Sequence, residues 1–377
     1  MSTLIHSVRV LGSTIPPGTA AAWVLLDAGR VAAVGDGGDR PVADEVVDGG
    51  GGCLVPGFVD IHGHGGGGAT YDDGPDAVRA GRALHLAHGT TRAVVSLVTA
   101  SLDEMAARAA MVADACAADP TVLGSHLEGP FLDPGHKGAH TAGRLRAPDA
   151  ASVDLLLEAG RGTIRQVTLA PELPGADDAI RRFTEAGVVV AVGHTDADAT
   201  AAHRAFDAGA TVLTHAFNAM RGIHHRAPGP VVAALRDDRV TLEVIADGVH
   251  VDLELVATLF AAARDRIALV TDAMAAAGAA DGRYRLGGLG VTVSDGVARL
   301  DDGGSIAGST LTQDAAIRRV AGAGVPLTDA VAAATSIPAA AIGRPDLGRL
   351  DIGSIGDAVL LDDALEVRRV WVAGEPV

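Results

Sequence analysis

The chain has 377 residues, is 48% hydrophobic but only 3% aromatic, and carries a net charge of −17. That length allows one large domain or two, with an ample core of Ala, Val, Leu and Ile. The charge argues against nucleic acid or an anionic membrane as partner, and no basic block or run of 18 apolar residues counters it.

Residues 1–55 read as short strands and turns: LIHSVRVLG, AAWVLLDAGRVAAVGD and DEVVDGGGGCLVPG alternate apolar and polar residues around Gly and Asp. The opening MSTLIHSVRV lacks the charged and apolar regions of a secretory leader, so a soluble cytoplasmic protein is expected. The tail, 346–377, reads like the start (GDAVLLDDALEVRRVWVAGEPV), which suggests a small β-sandwich assembled from both termini.

Between them, residues 56–345 repeat strand, loop and helix. Eight strands are predicted: FVDIH near 58, TRAVVSLV near 91, TVLGSHL near 121, TIRQVTLA near 163, VVVAVGH near 188, TVLTHAF near 211, VTLEVIAD near 240 and IALVTD near 267. Near-continuous Val/Ile/Leu runs are the mark of buried parallel strands. Eight such units fit an α/β fold of the (β/α)8 TIM-like barrel type; a doubly wound open sheet is the alternative. RYRLGGLGVTVSDGVARLDDGG reads as a β-hairpin inserted near 281–304, and LTQDAAIRRVAGAG and LTDAVAAATSIPAAAIG as two closing helices.

Residues that bind metals or move protons follow these runs. They are His62 and His64 in VDIHGHG, Glu128 in SHLEGP, His194 in AVGHT, His215 in VLTHAFNAM and Asp272 in LVTDAM. In a barrel all strand ends meet at one catalytic face, so residues 210 positions apart can share one site. His62 and His64, two apart on a strand, project from the same side. An HxH pair alone could be two hydrogen-bonded histidines; with Glu128, His194 and His215 it suits Zn²⁺ or a similar divalent ion. A buried carboxylate such as Glu128 needs a cation, either a metal or an arginine. Asp272 could be a further ligand, or the group that takes a proton from an activated water and returns it to a leaving amine. His126 reads as a hydrogen-bonded core residue, and His85, His88 and His203 as structural residues of helices. His224 and His225 read as solvent-facing, and Lys137, the single lysine, as a brace in its loop.

Competing motifs are weak. Gly63, Gly65 and Gly68 satisfy GxGxxG, but YDDGPD follows instead of a helix opening. HGGGG has no GxSxG elbow to serve, and HExxH is absent. Cys53 and Cys116 make neither a disulfide framework nor a CxxC zinc site.

PGFVDIHGHG, the β-rich termini and the strand-end His, Glu, His, His and Asp resemble the amidohydrolase superfamily. Many members bridge two metals with a carboxylated lysine on the fourth strand; here Glu128 takes that role. HLEGPF, KGAH, GHT, THAFNAM, HRAPG, DGVH, TDAM and IAGST run in the order found in the N-acetylglucosamine-6-phosphate deacetylase family. The resemblance implies hydrolysis of an acetylated, phosphorylated amino sugar in amino-sugar catabolism and cell-wall recycling. It implies Glu128, His194 and His215 as principal metal ligands, with a second ion at His62 and His64 shared through Glu128 and Asp272. One or two divalent ions are expected, zinc first, with Fe, Co or Mn as alternatives. Asp272 would be the acid/base and His140 would polarise the acetyl carbonyl. Asn218, Ala219, Arg226 and His250 would bind the sugar phosphate, and Ala139, Ile306 and Ala307 would line the pocket. A homodimer is implied, one subunit closing its neighbour's phosphate pocket. Another metal-dependent amidohydrolase, acting on N-acyl amino acids or as a deaminase, is the nearest alternative; a non-catalytic sugar-phosphate-binding barrel is the more distant one.

Overall fold

A computed structural model of the chain describes residues 1–16, 19 and 21–377. Its centre is a parallel sheet of eight strands: β1 (Phe58–Asp60), β2 (Thr90–Val98), β3 (Val122–Glu128), β4 (Ile164–Leu169), β5 (Val189–Val192), β6 (Val212–Leu213), β7 (Thr241–Val244) and β8 (Ile267–Leu269). Each pairs with the next in chain order, so the sheet curls into a nearly closed barrel. The strands are almost wholly buried, because helices cover the outer face and side chains fill the inside.

β1 and β8 share no ladder; the seam between them is closed by other groups. Above it, the Asp272 N–H donates to the His62 carbonyl at 2.8 Å. Lower down, the Val59 N–H donates to the Ala334 carbonyl at 2.9 Å. The segment predicted as one final helix is two, Leu327–Ala333 and Ser336–Ala341, divided at Thr335. That break lets Ala334 turn its carbonyl towards β1.

Both termini build the second sheet system. In order, it contains Glu375–Pro376, Val367–Val372, Ala358–Leu361, Cys53–Pro56, Thr3–Val10, Ala22–Asp27 and Arg30–Asp36, with Glu45–Asp48 also on Thr3–Val10. Thr3–Val10 serves two sheets: residues 3–6 pair with 45–48, and residues 9–10 with 53–54. The bend between them falls at Ser7, whose φ is 55°. Ile5, Val8, Val24, Leu26, Leu54, Leu360 and Trp371 pack between the layers. Arg92 of β2 ties the two parts together through Asp357, with N–O distances of 2.6 and 3.0 Å.

The insertion expected as a hairpin has three antiparallel strands, Gly282–Leu286, Leu289–Ser294 and Val297–Leu300. The third gives Leu286, Val291, Val293, Ala298 and Leu300 a buried face against Val98 and Met274. A two-stranded ribbon seldom buries enough apolar surface to stand alone.

Candidate active site

The six strand-end residues converge at one mouth of the barrel. Glu128, the last residue of β3, is at the centre. Its Oε1 is 3.1 Å from His194 Nε2 and 3.3 Å from the Nε2 atoms of His215 and His62. Its Oε2 is 3.0 Å from His64 Nε2 and 3.4 Å from His140 Nε2. Asp272 Oδ1 lies 3.3 Å from His64 Nε2 and 3.6 Å from His62 Nε2. Two three-residue groups result: Glu128 with His194 and His215, and Asp272 with His62 and His64.

The local backbone explains the aim of these side chains. β1 ends at Asp60, so His62 and His64 lie beyond the pleat and not on adjacent strand positions of one face. Their loop is held instead by Ser96, which donates to the Gly63 carbonyl and accepts from its N–H, and by the Ala273 carbonyl, which accepts from His64 N. The two rings meet edge to face with centroids 5.3 Å apart. His194, His215 and Asp272 also fall just past their strands, with φ of 47°, 27° and 46°. A left-handed kink is costly for these residues and is tolerated where packing fixes it. Here it turns each side chain inward at the end of its strand.

Donor chemistry supports a cation. Glu128 Oε1, His194 Nε2 and His215 Nε2 stand 3.0 to 3.3 Å apart. Ligand atoms about 2.0–2.1 Å from a tetrahedral zinc are about 3.3 Å from one another. His194 Nδ1 donates to the His136 carbonyl at 2.9 Å, so a neutral His194 turns the lone pair of Nε2 towards Glu128 Oε1 at 3.1 Å, and a shared cation satisfies both acceptors. His62 Nε2 is fully buried without a hydrogen-bond partner, and it faces the same carboxylates.

Charges in the site oppose one another strongly. Burial raises the Glu128 carboxyl, but His62 and His140 outweigh it and hold the group well below its usual range. Burial lowers His64, but Asp272 and Glu128 overcome this and raise it to about 9. His140 shows the reverse balance: burial dominates and brings it to about 4, so its imidazole is neutral at pH 7. Burial also opposes protonation of His250, yet Asp247, 2.7 Å from its Nδ1, raises it above the ordinary value.

These groups open into a cavity of about 350 Å³. His64, Glu128, His140, His194, His215, Asn218, Ala219, His250 and Asp272 line it, with Ala139 and Ile306. Ala307 is fully buried, packed against the three-stranded insertion. Arg226 does not line the cavity. It stands on the exposed segment 221–228, beside exposed His224 and His225. The physical reason is local: Arg221 is drawn aside to Asp196, and His224 bonds to Ala227 and the Arg226 N–H within the segment itself, so the segment projects from the barrel. His126 is a core residue under the site, bonded to Ser96 and Thr168. Lys137 reaches only the Gly138 carbonyl.

Three residues escaped the reading of the sequence. Glu243 of β7 is fully buried and 2.9 Å from His62 Nδ1. Gln166 of β4 donates to its other oxygen at 2.7 Å. Asp60 spans the seam to Thr271. The signal for Glu243 was present in VTLEVIAD, a lone acid in an apolar strand.

A family model for amidohydrolases matches residues 53–377. The chain belongs to the amidohydrolase family. Among curated relatives of this amidohydrolase, the N-acetylgalactosamine-6-phosphate deacetylase of Escherichia coli O157:H7 is 41% identical, over 85% of this chain and 87% of its own. The human N-acetylglucosamine-6-phosphate deacetylase is 38% identical, over 90% and 87%. Among solved structures, the N-acetyl-D-glucosamine-6-phosphate deacetylase of Mycobacterium smegmatis, in complex with N-acetyl-D-glucosamine-6-phosphate, matches with a TM-score of 0.94. It is 42% identical and the match covers 100% of this amidohydrolase and 99% of that chain. No helix among the described residues is long and apolar enough to cross a membrane.

Proposed function

We propose that this amidohydrolase hydrolyses the acetamide of N-acetylglucosamine 6-phosphate to glucosamine 6-phosphate and acetate, in cytoplasmic amino-sugar catabolism and cell-wall recycling. The observation that carries the reading is the division of Glu128 between His194 and His215 on one oxygen and His64 on the other, with Asp272 at the same mouth. The names of relatives at 38–42% identity support the substrate class.

Glu128, His194 and His215 would hold the principal divalent ion, and His62, His64 and Asp272 a second, zinc being the first candidate and Fe, Co or Mn alternatives. Such an ion supplies Lewis acidity, acidifying a water and polarising the acetyl carbonyl. Asp272 accepts the proton of the attacking water as its oxygen bonds to the acetyl carbon. His140, neutral by burial, donates to the developing oxyanion, a contribution on the order of 3 kcal/mol for a well-placed donor. The C–N bond then breaks, and Asp272 returns its proton to the leaving amine.

The remote end of the substrate is an anion. His250, whose protonated form Asp247 favours, and the Asn218–Ala219 segment would face it from this subunit. The segment carrying Arg226 also exposes Ile223 at 52%, an apolar side chain suited to a protein contact. A homodimer in which one subunit closes its neighbour's phosphate pocket accounts for both features. Binding energy gathered there positions the amide at the other end.

The 4-epimer, N-acetylgalactosamine 6-phosphate, is a second reading, favoured by the name of the 41% identical relative. Acetate release should be followed with metal-depleted protein re-supplied with single ions, on both epimers with and without phosphate. Metal-dependent release from a phosphorylated sugar is the expected result. Release of ammonia instead of acetate, or equal rates with and without phosphate, would refute the reading.

A further inference from the structure

We propose that Glu243 is a positioning residue that makes His62, His64 and Asp272 a working cation site and couples it to the site of Glu128, His194 and His215. The inference rests on the metal-dependent reading above but concerns a residue outside both ligand groups.

Glu243 lies on β7, fully buried, and no ligand set includes it. A buried carboxylate is costly unless each oxygen is bonded. Gln166 Nε2 donates to its Oε1 at 2.7 Å. Its Oε2 faces His62 Nδ1 at 2.9 Å and accepts from the backbone N–H of His215 at 3.3 Å. An ionised carboxylate only accepts, so His62 carries its proton on Nδ1. The lone pair of Nε2 then points at Glu128 Oε1, 3.3 Å away, and Asp272 Oδ1, 3.6 Å away. Three electron-rich atoms facing one point repel unless a cation lies among them. A carboxylate behind a histidine fixes ring orientation and strengthens it as a donor, and losing such a partner typically weakens metal binding about 10- to 100-fold.

His64 differs. Its Nδ1 is buried and hydrogen-bonded to no group. Within the first-strand pair, only the His62 ring is hydrogen-bonded to a carboxylate behind it, and that carboxylate is Glu243. The same oxygen restrains the backbone of His215, which belongs to the other group.

A competing arrangement is a permanently protonated His62, itself the cation among three carboxylates. It predicts a single bound ion, so stoichiometry separates the two. Metal-depleted wild type, E243A and E243Q should be titrated with Co²⁺, reading ions bound per chain by equilibrium dialysis and ligand-field absorption. Wild type is expected to take two ions. E243A should keep the first and bind the second about 10- to 100-fold more weakly. E243Q should fall between, because Gln166 Oε1 is unpartnered and its amide can flip to accept from the new amide. E243Q carries the test if E243A does not fold. A purely structural role would lower the unfolding temperature and leave second-ion affinity unchanged. One ion in wild type, or an unaltered second affinity in both variants, would overturn the proposal. Two ions in wild type and a weakened second site without acetate release would instead remove the deacetylase reading and leave the role of Glu243 standing.

Discussion

Thr271 Oγ1 donates to Asp60 Oδ2 at 2.6 Å, across the only junction in the barrel that has no strand ladder. Asp60 ends β1 and Thr271 directly precedes Asp272. The same carboxylate accepts from the N–H groups of His62, at 3.2 Å, and Thr271, at 3.4 Å. One side chain therefore sets the spacing between the first-strand histidines and the proposed acid/base. Replacing Thr271 with Val leaves Oδ2 of a buried carboxylate without its strongest donor. The expected cost is about 1–3 kcal/mol, read as a fall in unfolding temperature. Thr271→Ser keeps the hydroxyl and should lose much less.

Asp272 is proposed to move the proton, with His62 and His64 supplying much of the hold on its Oδ1. Asp272→Asn keeps the shape but cannot accept a proton. Turnover should fall by about 10²-fold or more, with the ion at Glu128, His194 and His215 retained. Near-normal turnover would remove Asp272 from that role.

Arg226 is exposed and outside the cavity of its own subunit. Its proposed role in phosphate binding can be tested by Arg226→Ala. Loss of a charged hydrogen bond of about 1.5–3 kcal/mol should raise KM for the phosphorylated sugar about tenfold or more. Activity on unphosphorylated N-acetylglucosamine should change little. An equal loss on both substrates would show that this side chain does not read the phosphate.

The Arg92–Asp357 pair is buried on both sides and links barrel to sandwich. Asp357 also accepts from the Ala373 N–H at 2.8 Å. Asp357→Ala strands a guanidinium in the interior, with an expected loss of about 3–5 kcal/mol in denaturant unfolding. A variant losing under 1 kcal/mol, on the order of an exposed pair, would show that water reaches the site.

His88 and Asp314 give the stability a predictable pH profile. Burial raises Asp314, but His88, Thr312 and Arg318 hold it down at about 2. Its contribution is present above the ordinary 3.8 and lost as pH falls towards 2. The Asp314 hydrogen bond raises His88 above 6.5, so that contribution is full below 6.5 and disappears as pH rises through the raised value. The stability difference between wild type and Asp314→Asn should therefore plateau between about pH 4 and 6.5, on the order of 2 kcal/mol, and shrink on both sides. A difference that failed to shrink below about pH 4 and above about pH 6.5 would refute the assignment.

Much of this was legible in one dimension. Buried parallel strands announce themselves as Val/Ile/Leu runs, and all eight runs are strands of the barrel sheet. Polar residues at the ends of such runs are conspicuous because the runs themselves are mostly apolar. The site's outer features were harder to read. The placement of Arg226 depends on how its loop projects, and HRAPG looks the same whether the loop folds inward or out. The third strand of the insertion was hidden because VARLDD is short and half polar.

Local pattern in the residues was enough to mark eight buried parallel strands and the polar side chains at their ends, because strand burial and strand ends are properties of a few neighbouring positions. That the sheet closes into a barrel and does not stay open was decided by the tertiary structure. Which oxygen of Glu128 faces which histidine, how Asp60 bridges the open edge, and that Glu243 stands behind His62 emerged only in three dimensions. Those relationships join atoms up to 211 positions apart, and no periodicity in a chain encodes a distance between strands that meet only when the sheet curls round.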